Sequence, residues 1–269
     1  MPRGPQHRPS PAAIGVPPAP ASDWVEAMPG PCSGPTVWRV DLHLDPDDAE
    51  PGTGLLSPEE QARADRFRRA EDRQRYRQSH AALRLVLGHT LDAPPLDLRF
   101  ATSATGKPHL IRTGRPVLHF NLSHSGRHAL IGIASESEIG VDVEAIRPIG
   151  DPLAIARPHL HPDEITDLTR LPAPDRDAAF FGCWTRKEAV VKALGTGLSL
   201  PLDHFSVSVP PAAGAVRWMR SGPAGWSLCD LPLGPDAVGT VAIPLPNQAV
   251  RRLRLPTDWA ARTGLATIG

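Results

Sequence analysis

The chain has 269 residues, with 29 basic against 29 acidic side chains and a hydrophobic share of 41%. At roughly 100–200 residues per domain this is one large domain or two small ones, with enough apolar material for a core, so global disorder and a globally basic nucleic-acid binder are excluded. No apolar run approaches the roughly 18–20 residues needed to cross a bilayer. The N-terminus shows no apolar leader, and Cys32, Cys183 and Cys229 lie too far apart for a disulfide framework or a zinc pair. A cytoplasmic protein with reduced thiols is expected.

Residues 1–36 hold ten prolines and four glycines. Such a segment buries too little apolar surface to offset its ordering entropy, so it reads as a disordered tail with Trp24 and Val25 as its only docking points. The fold is expected to begin with a strand over Val37–Leu42. Ser57-Pro58-Glu59-Glu60 starts a helix with a capping box. Helical sequence continues, with a break near Ala70, to about Leu91, where Pro94-Pro95 ends it. Leu96–Phe100 and Val117–Phe120 read as short strands. His128–Ala134 and Ile139–Glu144 read as a hairpin around Ser135-Glu136-Ser137-Glu138. Pro162-Asp163-Glu164 opens another helix. A long one runs from about Asp175 to Leu194 and closes on Gly195-Thr196-Gly197. Phe205–Val209, Trp226–Leu231 and Ala237–Ile243 are the last strands. Helices and strands segregate, which favours an α+β fold.

Several constellations carry chemistry. Asp142 and Glu144 are two apart on a strand and project to one side. Paired carboxylates repel unless a cation compensates them, and Mg²⁺ is the natural one, the alternative being two solvated surface acids. Trp184, Glu188 and Lys192 are spaced by four and share a helix face. That face suits a cleft wall better than a solvated Glu–Lys surface pair, because two of the chain's three lysines (Lys107, Lys187 and Lys192) lie in this segment and a large aromatic shares the stripe. Phe120-Asn121-Leu122-Ser123-His124-Ser125-Gly126 reads as a polar turn that can offer hydroxyls, N–H groups and an imidazole to an anion. Gly106-Lys107-Pro108 presents the one lysine of the first half. The arginines from Arg63 to Arg77 are interrupted by acids, so a solvated helix face competes there with a phosphate pocket. His159-Leu160-His161 lacks a third metal ligand, and Cys183 reads as a buried small hydrophobe.

Together, Gly106-Lys107-Pro108, Phe120–Ser125, Ile139–Glu144 and Trp184–Lys192 resemble the 4′-phosphopantetheinyl transferases in order and spacing. The likeness is to the two-domain type that activates polyketide and nonribosomal peptide synthetases. Leu56–Glu60 and Gly197–Leu202 match as well, so the resemblance covers about residues 37–245. It implies two similar α+β halves related by a pseudo-twofold, each a small antiparallel sheet packed with helices. The first half would span 37–144 and bind the phosphates of coenzyme A. The second would span 145–250 with the catalytic helix, and 251–269 would form a tail. Asp142, Glu144 and Glu188 would hold Mg²⁺, with Lys192 on a phosphate at the reacting centre. Arg63, Arg75, Lys107 and His124 would bind the nucleotide-end phosphates, with Ser123 and Lys187 nearby. Glu188, directly or through water, would take the proton of a carrier-protein serine, and Lys192 would assist. The expected partners are coenzyme A and acyl or peptidyl carrier proteins of polyketide, nonribosomal peptide or fatty acid synthases. Neither nucleic acid nor membrane is expected, and the molecule is expected to be a monomer. An acidic carrier would dock on Pro158–Lys192 through Arg170, Arg176 and Arg186 with Leu168, Leu171 and Phe180. The rival readings are another Mg²⁺-dependent phosphotransferase and a non-catalytic paralogue. A lysine common near Glu60 in this family is absent.

Overall fold

In the computed structural model, residues 24–262 are described, apart from 32, 45–51, 112–116, 211, 215 and 219–224. Strands β1 (Val25–Glu26) and β2 (Thr36–Asp41) come first. Helix α1 (Pro58–Ala64) starts on the expected capping box: the Ser57 hydroxyl accepts from the Glu60 N–H, and the Glu60 carboxylate accepts from the Ser57 N–H. Residues 65–69 separate it from α2 (Ala70–Leu91). Next come β3 (Phe100–Thr102), β4 (Pro108–Leu110), β5 (His119–Ser125), β6 (His128–Ala134) and β7 (Gly140–Ala145). Helices α3 (Pro152–Ala156), α4 (Pro162–Arg170) and α5 (Ala173–Leu194) follow. The remainder is β8 (Phe205–Val207), β9 (Val216–Trp218), β10 (Ser227–Pro232), β11 (Ala237–Ile243), β12 (Arg251–Arg254) and α6 (Trp259–Arg262). No helix among the described residues is long and apolar enough to cross a membrane.

The fold is α+β. A five-stranded sheet has the order β1-β12-β2-β6-β5, and a three-stranded antiparallel sheet has the order β10-β11-β7. Helix α2 buries Leu83, Val86 and Leu87 with Trp38 and Ile131 of the first sheet. Helix α5 buries Phe181, Val190 and Ala193 in a second core with Phe205 and Ala242. A third core, which includes Leu130, Val141 and Val241, lies where the two sheets meet.

Four expectations are corrected here. First, Ile139–Glu144 does not form a hairpin with His128–Ala134: β6 pairs with β5 and β2, whereas β7 pairs antiparallel with β11. The boundary 37–144 therefore cuts a strand away from its own sheet. The inner edge of β7 is met by side chains of β5 instead. Asn121 Oδ1 accepts the Val141 N–H at 2.8 Å, Ser123 Oγ the Val143 N–H at 3.3 Å and Ser125 Oγ the Ala145 N–H at 3.1 Å. Three side chains two apart thus replace a backbone ladder and join the sheets.

Second, for the same reason, Asn121–Ser125 is strand rather than turn; the turn comes at Gly126, where φ is +54°. Third, Leu96 lies in a 3₁₀ turn, Pro95–Asp97, and is 46% exposed. Pro95 has no N–H for a ladder. The carbonyls of Pro95 and Leu98 accept from the buried Arg84 guanidinium at 2.7 and 3.2 Å.

Fourth, the fold extends beyond 37–250 at both ends. Trp24 is buried, and its indole N–H donates to the Pro232 carbonyl. β12, expected in a tail, lies between β1 and β2 and pairs parallel with both. Residues 1–23 and 263–269 lie outside the described part.

Candidate active site

Helix α5 packs on β7 closely enough that only glycine fits between them: a Cβ on Gly140 would lie 2.0 Å from the Ala189 carbonyl oxygen. This approach brings Glu188 and Lys192 of the α5 stripe against the carboxylates of β7. Two cavities open there. One of about 620 Å³ is lined by Trp184, Glu188, Leu202 and Lys107 among others. Another of about 420 Å³ is lined by Arg63, Tyr76, His80, Ser123 and His124 among others. Asn121, Leu122, Pro108 and Lys192 stand on the walls of both.

The polar centre is tightly connected. Lys192 Nζ donates to Asp142 Oδ1 at 2.5 Å and to Ser123 Oγ at 3.1 Å, and Ser123 Oγ donates to the same Asp142 oxygen at 2.9 Å. Burial holds the Asp142 carboxyl above its ordinary range, and the Lys192 charge offsets this only in part. Glu144, on the same face two residues on, accepts from Ser125 Oγ at 2.8 Å. Its carboxyl is also raised, by burial first and by the neighbouring Asp142 charge further down. Glu188 is raised by burial and then by the Asp142 charge.

Three acids whose carboxyls are all raised, chiefly by burial, form a site short of positive charge. Asp142 Oδ2 is buried and has no hydrogen-bond partner among the described residues. An all-oxygen set with one orphaned buried oxygen fits a hard divalent cation. The side chains are not drawn into a finished cage, however: no group of three or more His, Cys, Asp or Glu among the described residues has ligating geometry.

The smaller cavity has a cationic and aromatic wall. The Arg63 guanidinium lies 5.7 Å over the Tyr76 ring, and Tyr76 stacks on His80 with centroids 3.8 Å apart. Burial pushes His80 down to about 3, so its ring is neutral; a hydrogen bond to the Tyr76 carbonyl at 2.9 Å offsets this partly. His124 presents a face to the cavity. The surrounding protein, followed by the Arg75 cation, holds its imidazole below the ordinary histidine range. Glu60 forms an ion pair with Arg84 at 2.6 Å.

The implied phosphate ligands therefore divide. Arg63, Ser123, His124 and Lys192 share the smaller cavity. Lys107 does not line it: its ammonium donates to Glu138 at 2.5 Å and to the Ala193 carbonyl at 3.1 Å, bracing the end of α5. Arg75 is engaged at every guanidinium nitrogen, by Asp72, Glu71 and the Gly126 carbonyl.

Lys187 is corrected. It is wholly buried on the far side of α5, where Nζ donates to Glu164 at 2.6 Å and to the Phe205 carbonyl at 2.7 Å. It cannot reach a phosphate in either cavity. The docking surface is corrected as well. Arg186 is buried and holds Asp230, Ser208 and Ala212, and Leu168 and Phe180 are core residues. His161 caps α4, and Cys183 is buried with its thiol pushed up, as a core residue would be.

The sequence reading missed Tyr76 and His80, whose spacing of four on a helix was a legible signal. Asn121, read only as part of a polar turn, stands on the wall of both cavities.

Comparison with known proteins places these motifs in context. Residues 138–241 match the family model described as the 4′-phosphopantetheinyl transferase superfamily, and residues 47–138 match the one described as 4′-phosphopantetheinyl transferase, N-terminal. HetI, a 4′-phosphopantetheinyl transferase of Nostoc sp., is 34% identical over 208 residues, covering 77% of this chain and 86% of that protein. The 4′-phosphopantetheinyl transferase Sfp of Bacillus subtilis is 34% identical over 168 residues, covering 62% of this chain and 73% of that protein. A putative 4′-phosphopantetheinyl transferase of Synechocystis sp. is 40% identical over 150 residues, covering 56% of this chain; the match spans 61% of that relative's length.

Proposed function

The chain belongs to the 4′-phosphopantetheinyl transferase family, and from that membership we propose that it moves the 4′-phosphopantetheine arm of coenzyme A onto a serine of a carrier protein. One observation carries this reading: Lys192 stands on the wall common to both cavities and beside Asp142, one helical turn from Glu188. Phosphates at that junction would meet an ammonium from one side and the carboxylate cluster from the other. The nucleotide end would lie in the smaller cavity with Arg63, Ser123 and His124. The pantetheine arm and the incoming serine would lie in the larger one, toward Trp184.

The serine oxygen attacks the phosphorus that bears the arm. The bond from that phosphorus to the bridging oxygen breaks, and adenosine 3′,5′-bisphosphate leaves. Such transfer needs positioning and charge neutralisation more than covalent help. Lys192 offers a positive charge to the phosphate. Glu188, whose carboxyl is held above the usual range, takes the serine proton, directly or through water. Asp142, Glu144 and Glu188 would hold Mg²⁺. When bound, the ion would neutralise charge on the pyrophosphate. Support for it comes from the orphaned Asp142 oxygen and the three raised carboxyls.

The two sheets joined through β5 and β7 are read as halves related by a pseudo-twofold. The protein is read as a cytoplasmic monomer serving polyketide, nonribosomal peptide or fatty acid synthases. The test is intact-mass measurement of an apo carrier protein after incubation with coenzyme A and Mg²⁺. A gain of one phosphopantetheine group is expected, lost on chelation of the metal or with Asp142→Ala. No gain on any carrier tried would favour a non-catalytic paralogue.

A further inference from the structure

The contacts of Lys192 carry an inference that rests on the reading of Asp142 as a metal-holding residue. Asp142 Oδ1 is saturated by protein donors: Lys192 Nζ at 2.5 Å and Ser123 Oγ at 2.9 Å. Oδ2 is buried and unpartnered among the described residues. A divalent cation approaching Oδ2 therefore meets a carboxylate whose charge is already balanced, with a second positive charge close behind it. Repulsion between like charges in a partly desolvated site is strong. Lys192 also differs from Lys187 in freedom. The Lys187 side chain is fully buried between fixed acceptors, whereas that of Lys192 is 29% exposed and faces both cavities. A compact ammonium on a flexible four-carbon stem can swing to a new anion without moving the helix that carries it.

We propose that Lys192 is a tethered counter-ion that competes with the divalent cation for Asp142, and that the phosphates of coenzyme A license metal binding by drawing the ammonium off that carboxylate. The donor-free protein then binds metal poorly, and metal and donor enter together. The coupling is reciprocal, so metal must raise coenzyme A affinity by the factor by which coenzyme A raises metal affinity.

The test uses Mn²⁺, whose free concentration is read by electron paramagnetic resonance, titrated at pH 8 into the full chain and its variants with and without coenzyme A. Without coenzyme A, Lys192→Met should bind Mn²⁺ about tenfold or more tighter than the parent. Lys192→Arg, which keeps the charge, should bind like the parent. With coenzyme A the gap between Met variant and parent should close. Lys192→Gln replaces the Met variant if the latter does not fold by circular dichroism. Equal donor-free affinity in the parent and the uncharged variant overturns the proposal, and so does an Arg variant that binds as tightly as the uncharged one. Asp142→Asn separates this failure from that of the underlying reading. It should lose the Mn²⁺ site in every background, and unchanged binding there would remove Asp142 from the metal site altogether.

Discussion

Adjacent residues on α5 take opposite fates because a helix turns 100° per residue. Glu188 faces the cleft, while Lys187 is buried against Glu164, whose carboxylate also accepts the Val207 and His161 N–H groups. Burial draws the Lys187 ammonium below its ordinary range, with Glu164 opposing. Removing one partner of such a pair strands the other charge. Lys187→Met should therefore cost about 3–5 kcal/mol of stability, while the KM for coenzyme A of the folded fraction stays unchanged. A raised KM with an unchanged thermal midpoint would return Lys187 to the phosphate site.

Glu188 supplies a pH test. Its folded carboxyl is raised, so between its unfolded value of 4.5 and the folded one the native state holds more protons than the unfolded chain. Its contribution to stability therefore falls as pH rises through that window. Glu188→Gln carries no charge at any pH. Its gain in thermal midpoint over the parent should grow as pH is raised from about 4.5 to 7.5. A gain that is flat or shrinking with pH contradicts the burial of an ionised Glu188.

At the scale of elements, the site depends on the approach of β7 to α5 at Gly140 and on the side-chain ladder from β5. A methyl at Gly140 would meet the α5 backbone at Ala189 O and Ala193 N, 2.0 and 2.4 Å away. Backbone cannot rotate aside as a side chain can, so the helix must move. Gly140→Ala should cost about 1–3 kcal/mol or more. It should lower kcat further than stability alone explains, because Glu188 and Lys192 ride on that helix. Paired thermal melts and kinetics of the folded enzyme would show it; full kcat in a folded Gly140→Ala protein would mean that the α5–β7 spacing does not set the site. The side-chain ladder also explains why Phe120–Ser125 looked like a loop: its small polar residues are the ones that accept from a neighbouring strand.

For the whole molecule, strands from near both ends of the described part, β1 and β12, belong to the first sheet. β12 inserts between β1 and β2, and Trp24 reaches across to the last residue of β10 through its bond to Pro232. Trp24 packs in the same core as Leu130 and Val141, where the sheets meet. Truncating a buried tryptophan typically costs about 3–5 kcal/mol, and a domain of this size loses roughly 2–4 °C per kcal/mol. Trp24→Ala should lower the midpoint by about 6 °C or more. A chain starting at Thr36 should fall at least as far, and an unchanged midpoint in both would show that the N-terminal segment does not hold the sheets together.

Local signals were legible in the sequence wherever the physics is local. The capping box at Ser57, the close of α5 at Gly195, the shared face of Trp184, Glu188 and Lys192, and the same-side projection of Asp142 and Glu144 all follow from helix and strand periodicity. The α+β character followed from the order of those elements. Tertiary structure alone decided which sheet β7 joins, that β1 pairs with the distant β12, and that Arg186 and Lys187 turn inward while Lys192 reaches Asp142. Those outcomes depend on contacts between residues far apart in the chain. For a cation such as Lys187, the choice between solvent, phosphate and a buried carboxylate is made by which partner the packed fold brings within about 3 Å, and no local pattern encodes that.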